Sequence, residues 1–283
     1  MPGTSVARLW WVTLAAMLAF AANSILCREA LTSGCIDAGS FTLVRVASGA
    51  LVLAFFAAQD LRKYRISGSW WGAAALVGYA TAFSFAYNSL SAGTGTLILF
   101  GAVQVTMIAH GLRSGERLNA IQVVGAVAAC GGLVWLVLPG VQSPSLAGAS
   151  LMAIAGFCGG VYSLLGRGIQ NPIAETAGNF IRAVPIAAAL FLMTAETACA
   201  TTIGLAYAAA SGALASGLGY ALWYAVLPFL RATTAAMVQL SVPVIAALGG
   251  AVLLGEGVTA RFTFASIGVL GGIALFILSI DQT

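Results

Sequence analysis

Residues 78–138 and 218–278 are one segment written twice, at a constant offset of 140 and without a gap. Gly115-Glu116 and Gly255-Glu256 anchor the match. Around them Leu90 pairs with Leu230, Ala92 with Ala232, Thr94 with Thr234, Gly132 with Gly272 and Leu138 with Leu278. A second match, at an offset of 137, joins Phe20 to Phe157 and Arg45 to Arg182. Each half carries five apolar runs. An odd number places the two halves in opposite orientations across a membrane, an architecture common among secondary transporters. The chain therefore reads as a single membrane domain over 1–283, with internal repeats at 1–140 and 141–283.

Composition excludes a soluble fold. The chain is 60% hydrophobic and 7% charged, against about 25% charged residues in soluble domains. Spans of about 20 residues cross a hydrocarbon core as helix, and ten are expected: 9–28, 38–58, 69–90, 93–112, 118–138, 146–166, 177–197, 203–226, 231–254 and 260–280. Helix is the required form, since lipid satisfies no open backbone amide. The fold class is all-α, an integral membrane protein of ten transmembrane helices arranged as two inverted five-helix repeats. The first run lacks a small-residue cleavage pattern and is expected to remain as a helix.

Loop charges set the orientation. With the N-terminus inside, Arg8, Arg62, Lys63, Arg65, Arg113, Arg117, Arg167 and Arg231 fall on the cytoplasmic side, and only Arg28 and Arg261 fall outside. That bias satisfies the positive-inside rule. It puts both termini in the cytoplasm of a multi-pass plasma-membrane protein, and it accounts for the net charge of +4 without a nucleic-acid partner. The five cysteines form no CxxC pair, so no metal or redox cofactor is expected. Cys130 and Cys158 are expected to be packing residues.

The helix ending in Gly115-Glu116-Arg117-Leu118, repeated as Gly255-Glu256-Gly257-Val258 before the small-residue run Gly268-Val269-Leu270-Gly271-Gly272, resembles the carboxy-terminal signature of EamA-type repeats. These repeats belong to the drug/metabolite transporter superfamily. Among its branches the chain most resembles the YddG-type aromatic amino-acid exporters of bacterial inner membranes. The resemblance implies a central cavity surrounded by the first four helices of each half, with the fifth and tenth at its flank. It also implies a mid-helix proline in the fourth and ninth spans. Pro243 fits the ninth, whereas Val103 occupies the fourth, so any hinge is expected in one half only. Ala128 with Gly132, and Gly268 with Gly272, are small residues one turn apart, a spacing that lets helices approach closely. They suit packing within the chain ahead of a homodimer face, leaving a monomer or a homodimer open.

Polar and aromatic side chains inside spans mark the candidate site. Tyr79, Phe83 and Tyr87 share one helical face, beside Asn88. Tyr220, Trp223 and Tyr224 lie in the matched helix of the other half, and Tyr162 follows Phe157 in the sixth. Asn23, Gln104, Asn179 and Gln239 are uncharged amides at membrane depth, each serving either a neighbouring helix or a solute. Arg45 and Arg182 lie inside the second helix of each half, and a gating or structural role is favoured over direct ligation. Glu29, Asp37, Asp60, Glu116, Glu175, Glu196, Glu256 and Asp281 all fall at span ends or in loops. A site without a midplane carboxylate suits neutral or zwitterionic solutes and an uncoupled carrier.

The expected partners are a small-molecule solute and the lipid bilayer. The expected function is export of small amphipathic solutes, aromatic or hydrophobic amino acids foremost, by alternating access. Proton-coupled export of drugs or other metabolites is the alternative within this class. An intramembrane enzyme is the alternative outside it, since His110 and Ser114 share a helical face. Against the enzyme stand the absent GxSxG elbow and the basic boundary formed by Arg113 and Arg117. A potassium filter is excluded because Val77-Gly78-Tyr79 runs on into Ala80 within a helix. No GxxxxGK[ST] loop supports ATP hydrolysis by this chain.

Overall fold

The computed structural model describes residues 6–59, 67–115, 118–140, 143–166, 169–230 and 238–279. Asp60, Arg62, Lys63, Arg65, Glu116, Arg117, Arg167, Arg231 and Asp281 lie outside them. Among the described residues ten long helical segments follow one another, α1 Val6–Thr32, α2 Ala38–Gln59, α3 Trp70–Ala86, α4 Ala92–Arg113, α5 Ala120–Val137, α6 Leu146–Leu165, α7 Pro172–Met193, α8 Thr202–Phe229, α9 Ser241–Leu253 and α10 Ala260–Leu278, with a short 3-10 turn at Ala195–Thr197 between α7 and α8. Eight of them are 18 residues or longer and apolar enough to cross a membrane. The two shorter ones are α3, of 17 residues, and α9, of 13. Among the described residues the one non-helical pairing is an isolated antiparallel bridge between Ile36 and Ala200.

Local chemistry moves several helix ends from their expected places. Asn171 accepts the Ala174 amide and Pro172 occupies the first turn, where its missing N–H costs nothing. α7 therefore begins well before residue 177. α3 stops at Ala86, because Tyr87 to Leu90 form a tight turn and Ser91 caps α4. Residues 211–218 within α8 are wound as a π-helix. A side chain at Gly212 would collide with the Arg45 carbonyl and the Ser48 hydroxyl, so the wide turns coincide with close seating of this stretch on α2. Pro243, expected at mid-helix, sits in the first turn of α9. Its ring nitrogen cannot donate to the Gln239 carbonyl, and the helix is interrupted at Leu240.

Helix contacts come in matched sets. α2 packs on α7, α4 on α9 and α5 on α10; α3 on α6 answers α1 on α8, and α4 on α6 answers α1 on α9. Exchanging helix n for helix n+5 reproduces the set. The outer surface is apolar, with Leu51, Phe55, Val127, Val252 and Ile267 all exposed. Exposed Trp10, Trp11, Trp70 and Trp71 gather at the end where α1 and α3 begin, as expected of a membrane–water boundary. Cys130 faces outward on α5 instead of packing inside.

α5 and α10 meet along their small residues. A Cβ at Gly125 would stand 2.6 Å from the Gly272 carbonyl oxygen, and one at Gly272 would stand 2.5 Å from that of Gly125. A Cβ at Gly132 would stand 2.9 Å from the Val269 amide nitrogen. These glycines are therefore used inside the chain, with backbone against backbone. Gly272→Val is expected to lower stability by about 1–3 kcal/mol through overpacking, read as a lower melting temperature of the purified protein. Gly271→Val, where nothing lies within 4 Å, should leave that temperature unchanged.

Candidate functional site: a central cavity open toward one end

The two ends of the bundle are built differently. At the end where α1 finishes, Arg28 Nε lies 3.1 Å from Glu256 Oε1, and Arg28 Nη1 donates to the Tyr87 carbonyl at 2.8 Å. Glu256 Oε2 accepts the Ala92 amide at 2.8 Å. One carboxylate thus joins α1, the start of α4 and the turn after α9. Gly255, at φ +66°, supplies the left-handed turn that folds Glu256 back, which gives the Gly-Glu motif a physical purpose in this half. At the same end Asp37 accepts the amides of Gly39, Ser40 and Cys199. Partial burial pushes the Asp37 carboxyl upward, but the Ser40 hydroxyl and these amides outweigh it and hold its pKa below the ordinary value. Ser89 and Ser145 hydroxyls meet at 2.7 Å.

At the opposite end the turn before α3 is held by α7. Glu175 Oε2 accepts the Gly68 amide at 2.8 Å, Asn179 Oδ1 the Ser69 amide at 2.7 Å, and Arg182 Nη1 donates to the Ser67 carbonyl at 2.7 Å. Arg182 therefore caps backbone and does not line the cavity. Asn179 serves this clasp and also contacts the Tyr162 hydroxyl at 3.4 Å.

Between the ends lies a cavity of about 600 Å³, within the range of ~300–1,000 Å³ that holds a drug-sized molecule. Its deep part is walled by Phe20, Asn23 and Ser24 of α1, Arg45 of α2, Tyr79 and Phe83 of α3, and Ser216, Tyr220 and Trp223 of α8. Gln104, Tyr162 and Tyr224 line its flanks. It runs to Gly166, Pro172, Glu175, Leu227 and Gln239 at the Arg182 end, and no residue of the Arg28–Glu256 clasp borders it. The cavity therefore leads toward one end only.

The rings contact one another within α3 and α8 and, through Phe20, from α1 to α8. Phe20 meets Tyr220 edge-on at 5.6 Å and Trp223 at 6.3 Å, Tyr220 stacks on Tyr224 at 5.9 Å, and Tyr79 lies 5.4 Å from Phe83. A polar chain threads between them. Ser211 donates to Asn23 Oδ1 at 2.6 Å, and Asn23 Nδ2 reaches the Tyr79 hydroxyl at 3.5 Å. That hydroxyl accepts Arg45 Nη2 at 3.2 Å, and Arg45 Nε faces Ser216 Oγ at 3.5 Å.

Eleven expected residues border this space: Asn23, Arg45, Tyr79, Phe83, Gln104, Tyr162, Asn179, Tyr220, Trp223, Tyr224 and Gln239. Tyr87, Arg182 and Pro243 do not. Tyr87 is fully buried beneath Phe83, its ring edge-on at 4.7 Å and pressed against Gly95. Phe83 has already covered that face, so Tyr87 plugs the deep end without walling it. Glu175, expected at a span end, lies in the first turn of α7, and the early start of that helix brings it to the cavity mouth. Sequence reading did not select Phe20, Ser216 or Glu175 as site residues. Phe20 carried a signal, one turn before Asn23 and duplicated as Phe157. Ser216 carried none, since its direction depends on the π-helical winding.

A bundle of apolar helices around a polar, ring-lined cavity that leads toward one end defines a membrane transport protein. Residues 146–278 match the EamA-like transporter family. Uncharacterized protein PA1977 of Pseudomonas aeruginosa is 54% identical over 269 residues, covering 94% of this chain and 93% of its own length. The chain belongs to the EamA-like transporter family, within the drug/metabolite transporter superfamily. A solved crystal structure superposes with a TM-score of 0.67 at 17% identity, covering 99% of this chain and 100% of that one, and shows the shared fold.

Asn23 links α1 to both α3 and the π-helical stretch. Asn23→Ala leaves the fully buried Ser211 hydroxyl without its acceptor, a loss of about 1–3 kcal/mol. The purified variant is expected to melt at a lower temperature than wild type. An unchanged melting temperature would mean the chain of hydrogen bonds contributes nothing to the bundle.

Proposed function

We propose that the protein exports small amphipathic organic solutes, aromatic or hydrophobic amino acids foremost, by alternating access and without proton coupling. The observation that carries this reading is the ring-lined cavity itself. It draws faces from α1, α3 and α8, mixes them with the uncharged amides of Asn23 and Gln104, and holds no carboxylate in its deep part among the described residues. Glu175, at the mouth, is occupied by the Gly68 amide. The paired helix contacts support two inverted repeats, at 1–140 and 141–283, as the moving units. The loop charges support a cytoplasmic location for the end toward which the cavity leads. In that orientation the structure faces inward in a bacterial inner membrane, and the Arg28–Glu256 clasp closes the outer side.

Purified protein in liposomes, with equal pH on both faces, is expected to carry phenylalanine and tryptophan down their gradients. Alanine at Tyr79, Phe83 or Trp223 removes ring contact as well as apolar area, an expected loss of about 2 kcal/mol or roughly thirtyfold in affinity. The loss should be larger for aromatic than for small aliphatic amino acids. Flux that appears only when a proton gradient is imposed would contradict the uncoupled mechanism. Normal aromatic transport by all three folded variants would contradict the placement of the solute.

A further inference from the structure

Arg45 stands out as the one described charge that lines the deep cavity. The residue is 4% exposed, and the hydrogen-bond partners of its side chain are two neutral hydroxyls, of Tyr79 and Ser216. Nη1 has no partner. Among the described residues the one ion pair is Arg28 with Glu256, so no carboxylate compensates the Arg45 guanidinium. The guanidinium lies over the Phe83 ring, 4.7 Å from its centroid, and over the Tyr79 ring at 5.2 Å. Ring faces soften a buried cation but carry no net charge.

Arg182 shows the contrast. The same residue type at the matched position of the other half spends its donors on the Ser67 and Gly178 carbonyls. Arg45 makes no such backbone contact, so its position is not explained by capping. A buried cation without a counter-charge carries a large desolvation cost, and a guanidinium matches a carboxylate in shape and donor geometry.

We infer that Arg45 is the anion subsite of the carrier: the solute's carboxylate docks on its guanidinium while the solute's apolar body lies among Phe20, Tyr220 and Trp223. This deepens the proposed function and rests on it. The substrate class becomes organic acids with an apolar or aromatic body, amino acids among them. The carboxylate is the group required, and the amine is dispensable.

Calorimetric binding to purified protein in neutral detergent, with L-phenylalanine, 3-phenylpropionate and 3-phenylpropanamide as probes, tests this. Wild type should bind both acids, and the amide at least about tenfold more weakly, the share expected of a charge-assisted contact. Arg45→Gln should bring the acids down to the level of the amide, and Arg45→Lys should keep part of the preference. Equal binding of acid and amide by wild type overturns the inference and leaves the carrier reading standing. So does a folded Arg45→Gln protein that still prefers acids. If no probe binds wild type and liposomes show no flux of amino acids, the proposed function fails and this inference falls with it. Should Arg45→Gln not fold, the wild-type comparison of acid with amide decides alone.

Discussion

A hydrocarbon slab offers no hydrogen bonds, so each polar atom in this chain must find its partner within the protein, in water or in a solute. Backbone groups are satisfied inside ten helices. The groups that helices leave open, at their ends, are closed by side chains from elsewhere in the chain. The Ala92 amide goes to Glu256, the Tyr87 carbonyl to Arg28, the Gly68 and Ser69 amides to Glu175 and Asn179. These bonds run between residues 1–140 and residues 141–283 in all cases but that of Arg28 with Tyr87. They tie the two parts of the chain together at both faces.

The two faces are not equivalent, and the difference makes the cavity directional. On one side Phe83, Tyr87 and the Arg28–Glu256 clasp follow in succession, and no residue of the clasp borders the cavity. On the other, α7 holds the turn before α3 aside, and the walls run on to Pro172 and Leu227. Backbone packing of α5 on α10, glycine against glycine, lies at the flank away from the cavity. Under alternating access the clasped face would have to part, exchanging the Glu256 bonds for water. An ion pair and two backbone bonds at a membrane surface can be exchanged in this way at modest cost, because water replaces each partner.

The helical architecture could be read from spacing and composition. Apolar runs at the length of a bilayer, the repeated Gly-Glu pair and the odd span count per half were sufficient to expect ten helices. Tyr79, Phe83, Trp223 and Asn23 could be nominated because rings and amides at membrane depth are costly unless used. Helix ends were harder to read, since they follow capping by Asn171 and Ser91 more than hydropathy. Tyr87 showed the limit of a helical stripe: three residues on one face do not share one depth, and the last was already covered by Phe83. The distinct uses of Arg45 and Arg182 were invisible in sequence. Both are arginines several residues inside the second helix of their half, and only the neighbouring carbonyls, present for Arg182 and absent for Arg45, separate them.

Solvent access to the cavity wall tests the central claim most directly. In a cysteine-free background, Gln104→Cys places a thiol on the wall, to be labelled with a membrane-impermeant maleimide in sealed vesicles of either orientation. Without solute, labelling is predicted from the cytoplasmic face and not from the outer face. A solute that drives cycling should then bring labelling from the outer face as well. Equal labelling from both faces without solute would describe an open channel. Labelling from neither would mean that the cavity is closed to water and serves no passage.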